Sequence, residues 1–381
     1  MNFELSEEHK VLQNVVSEFA KNELANYASE HDKEHTIKDN VINRMRELGF
    51  FGVYLPEKYG GAAMDVLSYI IVIEELSKVC ASTGVLISAH TSLCCDPIYQ
   101  FGTEDQKKEY LTKLTNGDKI GCILLTEPDA GSDVASISTN YKSEGDYYII
   151  NGSKLFVTNG AYRGIGVIFA TKDRSLRHKG LSAFIIDLSS EGVELLKNED
   201  KMGIRGTYTT AFAFNDLKVP KKNLLGNEGQ GFKIAMETLN GGRIGIAAQA
   251  IGIAEGAFNK AFDYAKERKQ FGKPLSSFQG IQFKFADMAT KIETAKILIY
   301  KAAWLKDNDK TNAMESAMCK YYASEVARFV TNEALQIHGG YGYIEDYEVE
   351  RMYRDAKITE IYEGTSEIQK IVISNMLFRG L

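Results

Sequence analysis

The sequence has no excess of basic residues. Its 381 residues include 45 Lys and Arg against 51 Asp and Glu, which gives a formal net charge of −6. Nucleic-acid-binding proteins usually carry a basic excess, so this balance argues against a nucleic-acid partner. It does not argue against small anionic ligands, because a local pocket can be basic on an acidic protein.

Long apolar runs and paired cysteines are also missing, and we expect no signal peptide. No uninterrupted apolar run reaches about 18 residues, so we expect no membrane span. The start, MNFELSEEHKVLQNVVSEFA, is acidic and amphipathic, which does not fit a secretory signal peptide. The five cysteines form no CxxC pair, and their odd count and irregular spacing fit a reducing compartment. We therefore expect a cytoplasmic enzyme of a prokaryote.

The common phosphate-binding loops are absent as well. No GxGxxG or Walker-type loop occurs, which argues against a Rossmann dinucleotide site. The segment GNEGQG at 226–231 does not follow a strand of a βαβ unit, and it lacks the Lys-Ser/Thr pair of a phosphate loop. A linker is therefore the favoured interpretation of this segment.

Apolar residues recur at helical spacing in the first and last parts of the chain. Ser6 stands where the first of these helices would begin. The predicted helices are 6–27, 65–80, 82–100, 231–265, 276–307, 312–338 and 365–378. They predict an N-terminal α-helical domain over 1–120 and a C-terminal four-helix bundle over 225–381.

The middle of the chain has the pattern of β-strands. YYIINGSKLFV at 147–157 contains two short β-rich runs around an Asn-Gly step, which predicts a hairpin. Further strands are predicted at 166–171, 181–188 and 209–219. These segments predict a middle antiparallel β domain over 121–224. Because strands and helices are segregated along the chain, the predicted fold class is α+β.

Two segments next to the predicted strands have residue types that suit a cofactor. In TEPDAGSD at 126–133, small and hydroxylated residues leave backbone N–H groups free for a planar polar ring or a phosphate. A simple turn capped by Ser132 is equally compatible with that segment. In FVTNGA at 156–161, the aromatic residue and the threonine could support and bond a ring edge. Considered alone, this second segment is better explained as a strand followed by a turn.

The C-terminal part carries a third group of segments: QIHGGYGY at 336–343, EVERMYRDAK at 348–357 and IYEGTSEIQ at 361–369. Their glycines allow close backbone approach to a ligand. Glu363 lies between an aromatic residue and a glycine, which is unusual for a solvated carboxylate. It could equally be an acid that complements the dipole of the following helix. Thr365 could cap that helix and present its N-terminus to an anion.

Taken together, these segments resemble the acyl-CoA dehydrogenase family over the whole chain. LLTEPDAGSD resembles the family's first signature, and METLNGGRIGIAAQA at 236–250 together with IYEGTSEIQ resembles its short-chain, butyryl-CoA-type members. Leu124 is larger than the residue common in the family, which we interpret as a packing change. The residues that match the second signature are Gln336, Gly339, Gly340, Gly342, Tyr343, Asp346, Arg351 and Asp355.

The resemblance implies FAD bound between the β domain and the C-terminal helices of a homotetramer built as a dimer of dimers. Thr126 and Thr158 would bond ring heteroatoms of the flavin. The residues implied to line the flavin are Ile123, Leu124, Leu125, Thr126, Ser132, Phe156, Val157 and Thr158. The residues implied to reach a neighbouring subunit's FAD, or its adenosine end, are Arg268, Phe271, Gln279, Gln336, Gly339, Gly340, Thr365, Ser366 and Glu367.

The same resemblance implies dehydrogenation of an acyl-CoA between C2 and C3. Glu363 would remove the C2 proton while a hydride passes from C3 to flavin N5, and electrons would continue to electron-transfer flavoprotein. The family bonds the thioester oxygen through the flavin ribityl hydroxyl and the backbone N–H of the base. Asn240 stands where the family often has Asp. The residues implied to contact substrate are Ser132, Asn240, Gly241, Gly242, Arg243 and Gly364.

Two absences narrow the substrate class. Long-chain and isovaleryl members carry their base at the position of Gly242, and glycine cannot act as one. Glutaryl-CoA members use an arginine near residue 84, but residues 79–100 contain no Lys or Arg, so a dicarboxylic substrate is disfavoured. A short branched-chain substrate, an enoyl-CoA reductase working in reverse and a catalytically inactive scaffold remain as alternatives.

Overall fold

The computed structural model describes residues 4–308, 310 and 313–379. Helices make up the N-terminal part, strands the middle part and long helices the C-terminal part, so the predicted order is confirmed. The N-terminal helices are α1 (Glu7–Asn22), α2 (Ala28–Glu34), α3 (Asp39–Glu47), α4 (Val66–Ser77), α5 (Ala81–His90), α6 (Asp96–Phe101), α7 (Glu104–Gln106) and α8 (Thr112–Thr115).

Local chemistry explains where the N-terminal helices begin and bend. Ser6 caps α1, because its hydroxyl accepts a hydrogen bond of 3.2 Å from the His9 N–H. The predicted helix 82–100 is continuous, but a π-helical turn at Thr91–Cys95 joins α5 to α6. Such turns insert one residue per turn and redirect the side chains that follow. This turn carries Leu93 toward the C-terminal helices.

One eight-stranded sheet forms the middle part. The strands are β1 (Gly121–Leu124), β2 (Asn140–Glu144), β3 (Tyr147–Thr158), β4 (Ile165–Thr171), β5 (Leu181–Asp187), β6 (Val193–Asn198), β7 (Thr209–Pro220) and β8 (Leu224–Leu225). They lie in the order β6-β7-β3-β2-β4-β5-β8 across the sheet, and β1 pairs with β4. The prediction of an antiparallel domain holds except for β4, which pairs in parallel with β1 and with the start of β2.

The hairpin predicted within 147–157 is wrong. Tyr147–Thr158 is one continuous strand, and the hairpin turn lies earlier, between β2 and β3 at Gly145. Gly152 has φ +147° and lies at a bulge in the pairing of β3 with β7. A Cβ at Gly152 would lie 2.5 Å from Thr139 Oγ1, so glycine here allows close packing within the sheet.

Long helices form the C-terminal part. They are α9 (Gly231–Glu267), α10 (Gln279–Asp307), α11 (Ala313–His338), α12 (Val349–Ile358) and α13 (Ser366–Arg379), with a two-stranded ribbon of β9 (Lys269–Gln270) and β10 (Lys273–Pro274) after α9. Helix α12 was not among the helices predicted from the sequence. The predicted start of α11 at residue 312 lies outside the described residues.

Hydrogen bonds tie the sheet to both helical parts. The Gly121 N–H donates to His90 Nδ1 at 2.8 Å, so β1 is held against α5. On the other side, the Ile204 N–H donates to the Asp355 carboxylate at 2.5 Å, which joins the loop before β7 to α12. Asp355 therefore has a structural role. The domain limits at 120 and 224 stay predictions. None of the helices in the described part of the chain has the length and apolar character required to cross a bilayer.

We predict that Gly152→Ala destabilises the protein by about 1–3 kcal/mol, because the methyl group meets Thr139 and the backbone is strained for an L-residue. Gly145→Asn is the matched control, since Gly145 lies at φ +52° in open space and asparagine tolerates that conformation. Denaturant unfolding of both variants measures the difference. Equal free energies of unfolding for the two variants would contradict the bulge assignment.

Candidate active site

Glu363 lies in the loop between α12 and α13, in a backbone conformation that few non-glycine residues adopt. Its φ is +55°, and Gly364 follows at φ +89°. The carboxylate oxygen Oε2 is buried and has no hydrogen-bond partner among the described residues. Buried carboxylate oxygens are normally paired, so an unpaired one at a strained residue indicates a functional site.

Glycine at position 242 makes room for this carboxylate. A Cβ added at Gly242 would lie 2.5 Å from Glu363 Oε2 and 2.9 Å from Leu93 Cδ2. The π-helical turn therefore meets α9 at the position occupied by the Glu363 side chain. Gly242 and Glu363, which the sequence analysis singled out separately, are neighbours in space.

Burial and two nearby cations shift the pKa of Glu363 in opposite directions. Burial raises the pKa of Glu363 to about 7, while Arg243 and Lys320 lower it. Arg243 is itself buried, its Nη1 donates to Asn240 Oδ1 at 2.8 Å, and its Nε has no partner in the described chain. A carboxyl group with a pKa near 7 is well suited to accept a proton at neutral pH.

Three residues that support the Glu363 loop were missed by the sequence analysis. Lys320 donates to the Gly364 carbonyl, and Gln369 donates to the carbonyls of both Glu363 and Gly364. Tyr362 donates through its hydroxyl to Gln249 on α9. A lysine in an amphipathic helix is ordinarily solvated, and the burial of Lys320 comes from tertiary contacts that the sequence pattern does not show.

A second group of predicted residues meets between β1 and β3. The Leu155 N–H donates to the Thr126 carbonyl at 2.8 Å, which joins TEPDAGSD to the residue directly before FVTNGA. Lys154, fully buried, donates to the Leu125 carbonyl at 3.0 Å and to the Glu127 carboxylate at 2.7 Å. Burial lowers the pKa of Lys154 to about 8. Burial would raise the pKa of Glu127, but Lys154 and further hydrogen bonds lower it to about 2.

The polar groups beside this junction fit a planar heteroaromatic ring. Within the described residues, neither the Thr126 nor the Thr158 hydroxyl has a hydrogen-bond partner. Phe156 is exposed with φ +56°, which leaves its ring free to pack against a ligand. Two free hydroxyls and a free aromatic face suit the polar edge and flat face of an isoalloxazine.

Leu124 and Val157 do not point toward that surface. Both side chains are buried within the core of the sheet, because neighbouring side chains in a strand face opposite sides. Any cofactor contact from these two residues would therefore come from the main chain. Leu124 Cδ1 fills the space beside Gly166 where a Cβ would stand, which supports the expectation of a packing change.

Arg268, Gly339 and Gly340 share an open groove of about 480 Å³. The Arg268 guanidinium lies 5.4 Å from the centre of the Tyr341 ring, and His338 stacks on Tyr264 at 4.3 Å. The groove has a cation, aromatic faces and glycine backbone at its surface. These features suit an anionic group with a planar ring.

The other predicted residues are exposed or lie at the start of α13. Ser132, Gln279 and Gln336 are exposed, and Phe271 is 93% exposed on the β9–β10 turn. Thr365 caps α13, since its hydroxyl accepts a hydrogen bond of 3.3 Å from the Ile368 N–H, as the sequence indicated. Ser366 and Glu367 form the first turn of that helix.

Three family models match the chain in sequence order. The acyl-CoA dehydrogenase N-terminal domain matches residues 6–118, the middle domain 122–217 and the C-terminal domain 229–378. The chain therefore belongs to the acyl-CoA dehydrogenase family, as the sequence resemblance implied. It is an enzyme of that family, and FAD is the family's cofactor.

Relatives point to the short-chain members. The chain is 53% identical to "Acyl-CoA dehydrogenase, short-chain specific" of Clostridium acetobutylicum, with 100% of each chain covered. The solved structure of butyryl-CoA dehydrogenase from Megasphaera elsdenii is 47% identical, with a TM-score of 0.98 and 100% of each chain covered. A structure described as electron transferring flavoprotein of Acidaminococcus fermentans is 51% identical, with a TM-score of 0.98 and the same coverage.

We predict that Lys154→Met destabilises the protein by about 3–5 kcal/mol, because the buried Glu127 carboxylate loses its cation. The double variant Lys154→Met/Glu127→Gln removes both charges and should recover most of that loss. Denaturant unfolding of the two variants at one protein concentration makes the comparison. Equal destabilisation in single and double variants would show that the ion pair is not the cause.

Proposed function

We propose that the chain catalyses dehydrogenation of a short-chain acyl-CoA to the trans-2-enoyl-CoA, with Glu363 as the base that removes the C2 proton. The observation that carries this proposal is the buried, unpaired Oε2 of Glu363 beside Gly242. The substrate class is supported by the similarity to short-chain and butyryl-CoA enzymes.

Removal of the proton requires a stronger base than a carboxylate in water. The C–H bond beside an acyl thioester is a very weak acid, and burial increases the basicity of the Glu363 carboxylate. Arg243 and Lys320 oppose full protonation of that carboxylate. Glu363 would thus remain available as a base near neutral pH.

Negative charge develops on the thioester oxygen during the reaction, and a hydrogen-bond donor is needed to stabilise it. The Glu363 N–H has no acceptor among the described residues, so it is available for that oxygen. Preorganised N–H groups stabilise such charge without reorganising during the reaction. Gly364, at φ +89°, would let the acyl group approach this N–H closely. The remaining substrate contacts that we propose are Ser132, Asn240, Gly241, Gly242 and Arg243.

FAD, when bound, would supply the hydride acceptor for C3. We propose that the hydroxyls of Thr126 and Thr158 bond its ring, with Phe156 against it. The groove at Arg268 would serve the cofactor of a neighbouring subunit. The other proposed FAD contacts are Ile123, Leu124, Leu125, Ser132, Val157, Phe271, Gln279, Gln336, Gly339, Gly340, Thr365, Ser366 and Glu367.

Electron-transfer flavoprotein is the proposed electron partner, supported by the similarity to the Acidaminococcus fermentans structure. A homotetramer is the proposed assembly. Ile371, Leu377 and Phe378 of α13 are exposed apolar side chains that a second copy of the chain could cover. The cytoplasmic location stays a prediction.

We predict that Glu363→Gln leaves the purified protein yellow but lowers turnover of butyryl-CoA at least about 100-fold, because an amide cannot accept the proton. Flavin bleaching in a stopped-flow instrument measures the reaction. Glu345→Gln, an exposed acid paired with Lys33, is the control and should react normally. Retained turnover in Glu363→Gln would reject Glu363 as the base, and a colourless protein that takes up no FAD would favour an inactive scaffold.

We also predict a pH dependence for the free enzyme. The carboxylate form of Glu363 is the base, so kcat/KM for butyryl-CoA should rise with pH and level off above about 7. Below that pH the carboxyl group holds a proton and cannot accept another. Bleaching rates at limiting substrate from pH 5.5 to 8.5 provide the measurement. A rate that is flat or falls across this range would contradict the assignment.

A further inference from the structure

We propose that Lys320 is a positioning residue for Glu363. It binds the Gly364 carbonyl, and its ammonium group favours the ionised form of the Glu363 carboxyl group. The inference rests on the proposed role of Glu363 as the base. Lys320 lies on α11, one helix away from the loop that carries Glu363. Its side chain is fully buried.

The loop needs external support because two successive residues have positive φ. A non-glycine residue in the left-handed region costs about 1–2 kcal/mol, and Glu363 is such a residue. Lys320 Nζ donates to the Gly364 carbonyl at 2.7 Å. Gln369 Nε2 donates to the same carbonyl at 2.7 Å and to the Glu363 carbonyl at 3.0 Å. Two side chains therefore hold both carbonyls of the strained segment.

Support of the backbone alone does not explain a charged residue. Within the described part of the chain, the Lys320 ammonium donates a hydrogen bond to the Gly364 carbonyl and forms no ion pair. Burial without an ion pair disfavours the charge and lowers the pKa of Lys320 to about 8. Gln369 shows that a neutral amide can hold the same carbonyl. The hydrogen bond to this carbonyl therefore does not require a positive charge at position 320.

We infer that the charge acts on the Glu363 carboxylate, because Lys320 Nζ is held at the carbonyl of Gly364, the residue directly after Glu363. Arg243 on α9 and Lys320 on α11 both lower the pKa of Glu363. Tyr69 on α4 and Tyr362 in the loop are the other titratable groups that interact with it, and the pKa of each is raised by burial and by Glu363. Both tyrosines are neutral at pH 7, so the two cations set the charge balance.

The charged groups around Lys320 are consistent with an interaction between its ammonium group and the Glu363 carboxylate. Burial has the largest effect on the pKa of Lys320 and lowers it, and Glu363 has the next largest effect and raises it. Arg243 lowers this pKa, whereas Glu360 and Glu367 raise it. Lys320 and Glu363 thus stabilise each other's charged forms. Removing the ammonium should leave Glu363 with Arg243 as its cation and should raise its pKa.

We predict that Lys320→Met moves the midpoint of the kcat/KM profile for butyryl-CoA about one pH unit upward. The reaction at pH 6 then slows about tenfold, because one pH unit is a tenfold change in the ionised fraction. Gln369→Met is the matched control: it removes the neutral donor from the same carbonyl, so kcat falls while the midpoint stays. Lys320→Arg keeps the charge and should restore the midpoint.

A second readout does not depend on turnover. The protonated carboxyl band of Glu363, identified by its loss in Glu363→Gln, is titrated by infrared difference spectroscopy in the oxidised holoenzyme without substrate. An upward shift of this titration in Lys320→Met supports the proposal, and an unchanged midpoint overturns it. Retained turnover in Glu363→Gln would overturn the proposed function while leaving this titration interpretable.

Should Lys320→Met fail to fold, Lys320→Gln replaces it in both measurements. Gln keeps a donor near Gly364 but carries no charge. A raised Glu363 midpoint in Lys320→Gln supports the electrostatic role. A midpoint equal to that of the unaltered protein overturns it.

Discussion

The structure of the site depends on the burial of one carboxylate oxygen without a hydrogen-bond partner. Glu363 Oε2 is enclosed where the π-helical turn meets Gly242, and no described side chain bonds it. Burial increases its affinity for a proton, while Arg243 and Lys320 limit that increase. The balance places its titration near neutrality, which is the condition that proton abstraction from a weak carbon acid requires.

The surrounding fold holds that oxygen in a fixed place, and it also supports the surface at Thr126, Phe156 and Thr158 that we propose binds a planar cofactor. Helix α9 brings Gly242 close to the Glu363 carboxylate and contributes Arg243, and α11 contributes Lys320. The buried pair of Lys154 and Glu127 joins β3 to the loop after β1. Rigid elements therefore carry the groups whose geometry matters, and the strained loop is restrained by side chains from neighbouring helices.

Much of this could be predicted from sequence, because periodicity and glycine spacing are local. The helical, β and helical order follows from them, and the cap at Thr365 does too. The Asn-Gly step misled the analysis, because the packing of Gly152 against Thr139 turns a hairpin signal into a bulge. Lys320 was missed for a related reason: its burial arises from tertiary contacts, which no spacing within α11 reveals.

The central claim is that Glu363 faces the α-carbon of a bound acyl thioester. A crystal structure of the holoenzyme with an unreactive short-chain acyl-CoA analogue tests it most directly. The account predicts a Glu363 carboxylate oxygen about 3–3.5 Å from C2, with the Glu363 N–H directed at the thioester oxygen. A carboxylate turned into solvent, or an acyl chain bound away from Gly242, would contradict it.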